Sequence, residues 1–267
     1  MRTIAILATY NERRFIRQII DHYNSHDVEL YLIDNCSADG TVDIARPFLG
    51  HGVCGIESFA RNGVFSLAAI LRRKEELAST LDGDWFMHID ADEFIVPPHG
   101  KGTLSVAFSE AEAAGYNCVQ FHEFTFVPTK ESPQHDHPDF QRTMLWYYPF
   151  SPSFTHGVRA WKRQPGGVEI AWSAGHLPRF PDLRISPRYF LMRHYQFLSR
   201  EHVVEKYVNR VYDPNAVKGG WHGWRATLRS DQIILRSQSE LKTYTSDDRL
   251  DSSDARTRHF LDPACLD

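Results

Sequence analysis

The residues best suited to chemistry are Asp90 and Asp92, in the stretch Trp85-Phe86-Met87-His88-Ile89-Asp90-Ala91-Asp92-Glu93-Phe94. Five mostly apolar residues read as a short buried strand, and three carboxylates stand where that strand ends. In an open α/β sheet, ligands bind just outside the carboxyl ends of the strands. Acidic groups there carry a desolvation cost unless a cation or a donor offsets it. Two Asp one residue apart, on an exit that bends out of strand geometry, can turn oxygens toward one divalent ion. Mg²⁺-type sites take one or two carboxylates and let substrate phosphates complete the shell. A second D-x-D, Asp82-Gly83-Asp84, follows a helical run and brackets a glycine, so it reads as a solvated turn.

Another polar strand end lies upstream. The first strand runs into Thr9, Tyr10, Asn11 and Glu12, and the second into Asp34. A carboxylate at that position can accept from a ribose hydroxyl or a base N–H; its other reading is an Asx-type turn residue bonding its own backbone. Neither G-x-G-x-x-G nor G-x-x-x-x-G-K-[ST] follows the first strand, so dinucleotide and P-loop readings lose their main support. Among the 14 histidines, His176 and His194 follow strand-like sequence in loop-like contexts. Either could close a metal shell, since imidazole suits Mn²⁺-type ions; the ordinary fate of a lone histidine is a satisfied structural role. Trp221 and Trp224 serve either as core plugs or as a stacking platform for sugar rings.

The elements that must position these groups follow from periodicity. Arg2 to Thr9 reads as a buried strand of a parallel sheet. Asn11 is the expected N-cap of an amphipathic helix from Glu12 to about Asn24, apolar at Phe15, Ile16, Ile19, Ile20 and Tyr23. Val28 to Ile33 is a second strand, followed by a polar turn and a short helix from about Thr41. Val53 to Ile56 is a third strand, and Val64 to Leu81 a long helix feeding the strand before Asp90. The alternation is that of a doubly wound, mostly parallel α/β sheet.

Beyond Pro97-Pro98 the expected elements are a helix from Thr103 to Ala114, a strand from Asn117 to Val127, and a mobile loop from Pro128 to Pro138. A β-hairpin is expected with Val158–Arg163 and Val168–Trp172 about Gln164-Pro165-Gly166-Gly167. A strand-like Tyr189–Met192 precedes His194, and Ser199 caps a further helix. After about Tyr244 the chain is polar and acidic, and reads as a loosely held tail. The division expected is 1–98, 99–245 and 246–267: a ligand-binding half, a smaller β-hairpin and helix half of the same domain, and the tail.

At 267 residues and 42% hydrophobic, the chain is long enough for one large core. A net charge of −4 gives no electrostatic case for nucleic acid. Four scattered cysteines without a C-x-x-C pair suggest neither zinc nor redox chemistry. With no apolar run of membrane-spanning length and no signal peptide, a cytoplasmic location is the expectation, with peripheral contact at the inner membrane left open.

Three stretches together, Ala8-Thr9-Tyr10-Asn11-Glu12, Leu32-Ile33-Asp34-Asn35-Cys36-Ser37-Ala38-Asp39-Gly40-Thr41 and His88-Ile89-Asp90-Ala91-Asp92-Glu93-Phe94, resemble the family 2 glycosyltransferases. The resemblance is closest to the bacterial branch whose metal motif reads D-A-D-E-F; it covers residues 1 to about 98 and continues more faintly through Arg193-His194-Tyr195 and the helix containing Glu205-Lys206. It implies a GT-A-type fold and a nucleotide-sugar donor, with Thr9, Tyr10, Glu12 and Asp34 on the nucleoside. It further implies that Asp92, helped by Asp90, binds Mn²⁺ or Mg²⁺ on the diphosphate. A C-terminal histidine completes the metal shell in such folds; His194 is the carry-over, with His176 the alternative. Arg61-Asn62 echoes the family's loop before the long helix. The acceptor implied is a glycan or lipid-linked hydroxyl, in polysaccharide biosynthesis.

The family's acid-pair motif for the catalytic base does not stand out; Glu123, His156, Glu169 and Asp182 are the candidates. The expected reaction is one inverting displacement at the anomeric carbon. Two rivals are an inactive nucleotide-sugar-binding module and a nucleotidyl- or phosphotransferase using the same metal-diphosphate geometry. The latter is disfavoured because Tyr10-Asn11-Glu12-Arg13-Arg14 lacks glycine.

Overall fold

The computed structural model describes residues 1–61, 63–153, 157–219 and 223–265. In chain order the regular elements are β1 (Thr3–Thr9), α1 (Ile16–Ser25), β2 (Val28–Asp34), α2 (Thr41–Ala45), β3 (Val53–Ser58), α3 (Leu67–Thr80), β4 (Trp85–Ile89), β5 (Glu93–Val96) and α4 (Leu104–Ala113). They continue as β6 (Cys118–Phe126), α5 (Phe140–Thr143), β7 (Trp146–Phe150), β8 (Ala160–Lys162), β9 (Ile185–Tyr195), α6 (Arg200–Val203), α7 (Pro214–Lys218) and β10 (Lys242–Thr243). The chain folds into two compact units rather than consecutive halves. The first gathers Met1–Ala60, Leu67–His122 and Thr155–Met192; the second gathers Arg61–Ser66, Glu123–Phe154 and Arg193–Asp267.

The first unit carries the α/β sheet expected for a GT-A-type domain. β3, β2, β1 and β4 lie side by side in that order, all parallel. Ile4, Ile6, Leu30, Leu32, Phe86 and Met87 are wholly buried, as strands covered on both faces require. Antiparallel β8 then pairs with β4 and with the start of β6. The chain steps outward from β1 to β3 and returns on the other side of β1 to form β4. The gap between β1 and β4 is therefore the topological switch point, the usual ligand crevice of such sheets.

Several local expectations are corrected. α1 begins at Ile16 without a side-chain cap. Asn11 takes a left-handed backbone (φ 58°), and its Oδ1 accepts from Ala38 N instead. The hairpin about Gly166-Gly167 does not form. Its turn is present, with Gly167 N donating to Gln164 O, but β8 already has β4 on one edge and β6 on the other. Residues 168–172 are left with one isolated bridge, Glu169 to Arg179, and a 3₁₀ turn.

In the second unit, β7 pairs antiparallel with β10 and with residues 123–126 of β6. The segment expected as a mobile loop is packed: Thr129 and His135 are buried, and His135 Nδ1 lies 2.9 Å from Thr143 Oγ1. The stretch after residue 245 is likewise packed. Arg256 N donates to Pro149 O, and Ser151 N to Arg256 O. His259 stacks on Phe150 at 3.8 Å, and Leu261 joins a core with Phe197, Val203 and Tyr207. Trp224 lies against that same core, whereas Trp221 is outside the described residues. Among the described residues no helix is long and apolar enough to cross a membrane.

Candidate active site

The carboxyl ends of β1, β2 and β4 form one polar edge of the first unit. Register sets Thr9 opposite Asp34 and Leu7 opposite Ile89. Asp34 is buried at 6% exposure, with its Oδ1 accepting from Thr9 Oγ1 at 3.2 Å and its Oδ2 from Ser37 N at 3.0 Å. Asp34 thus organises its own turn at the carboxyl end of a parallel strand, where such sheets ordinarily bind ligands. The two loops beyond are laced together. Asn11 N donates to Ser37 Oγ, Glu12 N to Thr41 Oγ1 and Arg13 N to Asp39 Oδ2, all within 3.0 Å. Tyr10 and Glu12 are therefore carried on a loop fixed by hydrogen bonds to its neighbour.

At the end of β4 the chain makes a four-residue turn, Asp90 to Glu93. Glu93 N donates to Asp90 O at 3.2 Å, and Asp90 N donates to Glu93 Oε2 at 2.9 Å. Asp90 is exposed at this turn, while Asp92 is 4% exposed and Glu93 1%. The other Glu93 oxygen accepts from Arg159 Nη1 at 2.5 Å, a buried ion pair. Arg159 Nη2 also reaches His176 Nδ1 at 3.3 Å.

Behind the turn, Lys74 of α3 is wholly buried. Its Nζ donates to Ile89 O at 2.9 Å and lies 2.7 Å from His88 Nδ1. Burial lowers the Lys74 ammonium to about 8, opposed by the charges of Asp90 and Glu93. Burial first, then the cations Lys74 and Arg159, hold His88 well below the ordinary imidazole value. A neutral His88 is the form that accepts from Lys74. A Cβ on Gly175, whose φ is +87°, would stand 2.4 Å from His88 Nε2, so that position admits only glycine without a shift.

Glu93, Arg159, Lys74 and His88 were not singled out by sequence reasoning. The signal for Glu93 was its place in D-A-D-E-F; the others gave none, because they come together only through the fold. Among the described residues, no cluster of three or more His, Cys, Asp or Glu is arranged to hold a metal ion. The donor set at the turn is two carboxylates, hard oxygen ligands of the kind that Mg²⁺ and Mn²⁺ use together with a diphosphate. Asp90 and Asp92 fit such an ion on those terms.

The remaining candidates scatter. Arg61 belongs to the second unit, and Asn62 and His156 are outside the described residues. Glu169 is paired with Arg179 at the surface, each more than half exposed. Asp182 is a left-handed turn residue (φ 54°) whose carbonyl accepts from Asn117 Nδ2. His194 is not on a loop: β9 runs on through it to Tyr195. Its Nδ1 lies 2.6 Å from Glu123 Oε1, which also accepts from Thr125 Oγ1 at 3.0 Å. In that contact an ionised carboxylate takes the accepting side and the imidazole Nδ1–H the donating side.

A parallel sheet with polar loops and a two-carboxylate turn at its switch point is the arrangement in which open α/β sheets ordinarily bind ligands. The chain belongs to glycosyltransferase family 2, whose model matches residues 4–165. It is similar to TarS of S. aureus at 12% identity and TM-score 0.45, over 80% of this chain and 41% of that one. It thus spans under half of that TarS structure. Similarity to TarS 1–349 in complex with UDP-GlcNAc is 12% identity and TM-score 0.46, over 80% and 69% of the two chains. An active-site mutant of LgtC matches at 10% identity and TM-score 0.33, over 61% and 58%. No curated protein matches.

Proposed function

We propose that this glycosyltransferase moves a sugar, with inversion and in a metal-dependent reaction, from a nucleoside diphosphate sugar to a hydroxyl of a glycan or lipid-linked acceptor in polysaccharide biosynthesis. The observation that carries the reading is that Asp34 and the Asp90–Glu93 turn stand at the carboxyl ends of β2 and β4, the two parallel strands that flank β1. Thr9, Tyr10, Glu12 and Asp34 would hold the nucleoside, and Asp92 with Asp90 the Mn²⁺ or Mg²⁺ ion. A bound ion supplies Lewis-acid neutralisation of the departing diphosphate.

For the proton of the attacking hydroxyl, Glu123 and His194, 2.6 Å apart, are the candidates. Glu123 fixes the Nδ1–H tautomer, and Nε2 accepts the proton as the bond to the anomeric carbon forms. The same Glu123 bond also favours a second reading, in which His194 Nε2 is a metal ligand oriented by its carboxylate partner. His176 is the weaker metal candidate, since its Nδ1 faces the Arg159 guanidinium. A lipid-linked acceptor would be met by peripheral contact at the cytoplasmic face of the inner membrane.

The test is release of nucleoside diphosphate from a panel of nucleotide sugars, with and without Mn²⁺. Metal-dependent release with acceptor supports the reading. Binding without release indicates an inactive module, and transfer of the phosphate itself a phosphotransferase.

A further inference from the structure

We infer that Glu93 is a positioning residue whose carboxylate, braced by Arg159, sets the turn that presents Asp90 and Asp92 to a divalent cation; this rests on the metal-binding reading above. The turn is closed twice by one residue: its backbone N–H returns to Asp90 O, and its Oε2 accepts from Asp90 N. The Glu93 side chain cannot swing away, because its second oxygen is engaged by a guanidinium that is itself buried at 5% exposure. Tyr23 of α1 adds a third restraint, its hydroxyl donating to Glu93 O at 3.0 Å.

The strand before the turn is held by other means. Lys74 Nζ grips Ile89 O from α3, and His88 N donates to Arg159 O. Removing the Glu93 carboxylate therefore loosens the turn, which keeps its main-chain bonds, without releasing β4. A two-carboxylate metal site depends on the turn, since both ligands are carried on three consecutive residues. Partners of this kind typically change metal affinity by about 10–100-fold when removed.

Glu93→Ala takes away the ion-pair partner of the buried Arg159, which by itself can destabilise the unit. The double variant Glu93→Ala/Arg159→Met removes both charges and separates folding from positioning. Mn²⁺ binding is measured by electron paramagnetic resonance on wild type, both variants and Asp92→Ala, with thermal melting as the folding control. Binding of UDP and of GDP is measured without metal on the same proteins. The expected result is Mn²⁺ affinity reduced about tenfold or more in the double variant, with melting near wild type and metal-free nucleotide binding unchanged. Wild-type Mn²⁺ affinity in the folded double variant overturns the role of Glu93 and leaves the metal site standing. Wild-type protein that binds no Mn²⁺, or Asp92→Ala that binds it normally, overturns the metal reading and this inference together.

Discussion

The polar edge of the first unit and the Glu123–His194 pair of the second are built in different ways. At the edge, each functional group sits at the end of a buried strand, and its neighbours in space are the ends of β1, β2 and β4. The Glu123–His194 pair joins residues 71 apart, on strands β6 and β9. A strand-end site is assembled by topology, so the residues of each loop can vary while the edge remains. A cross-strand pair has no such support, and losing either partner strips the other of its tautomer or its burial. Losses at the edge should therefore differ from one strand end to the next, whereas loss of either partner of the pair should cost about the same.

The largest effect is expected at the turn. Asp92→Ala should lower transfer by about three orders of magnitude, roughly 4 kcal/mol of transition-state stabilisation, and remove the metal-dependent part of donor affinity. Asp90→Ala should be milder, and a donor assay over a range of Mn²⁺ ranks the two. The opposite order would reverse their roles, and unchanged turnover in Asp92→Ala would sink the edge as the active site.

The pair comes next. His194→Ala is expected to cut kcat by about 10²-fold if Nε2 is the proton acceptor. A metal requirement that rises in His194→Ala assigns it to the metal instead. A raised requirement in His176→Ala alone would return that role to the first unit.

Asp34→Ala should weaken binding of the nucleoside part by about 1.5–3 kcal/mol, roughly ten- to a hundredfold, and leave metal affinity alone. Calorimetry with free nucleoside diphosphates measures this. An unchanged dissociation constant would make Asp34 a turn residue only.

The last effect falls on stability alone, as a pH dependence. Lys74 falls from 10.5 to about 8 through burial, so between those values the unfolded chain binds more protons than the folded one. Stability then rises with pH through that window, and the cost of the buried ammonium is complete below pH 8. Its ceiling is about 3 kcal/mol. Melting of wild type and Lys74→Met from pH 7 to 10.5 should show wild type gaining on the variant. A constant difference would mean that Lys74 stays charged throughout.

The sequence by itself determined the parallel sheet and its polar edge. Apolar runs such as Thr3–Thr9 and Trp85–Ile89 read as buried strands, and in a parallel array the polar residues after them fall at one end. The helices with clear local signals also followed, including the one capped by Thr103 and the one capped by Ser199, whose side chains accept from Val106 N and His202 N. Tertiary structure alone decided the rest. Residues 168–172 lost their hairpin because both edges of β8 were taken. The polar stretch after residue 245 is ordered by contacts with β7 that its composition does not advertise. His194 became a strand residue because β9 continues past Met192, and Glu93, Arg159, Lys74 and His88 acquired their roles only when distant elements met. Local pattern encodes which residues are buried in a strand; which polar side chains share that burial depends on strand pairing, and short-range sequence carries no record of it.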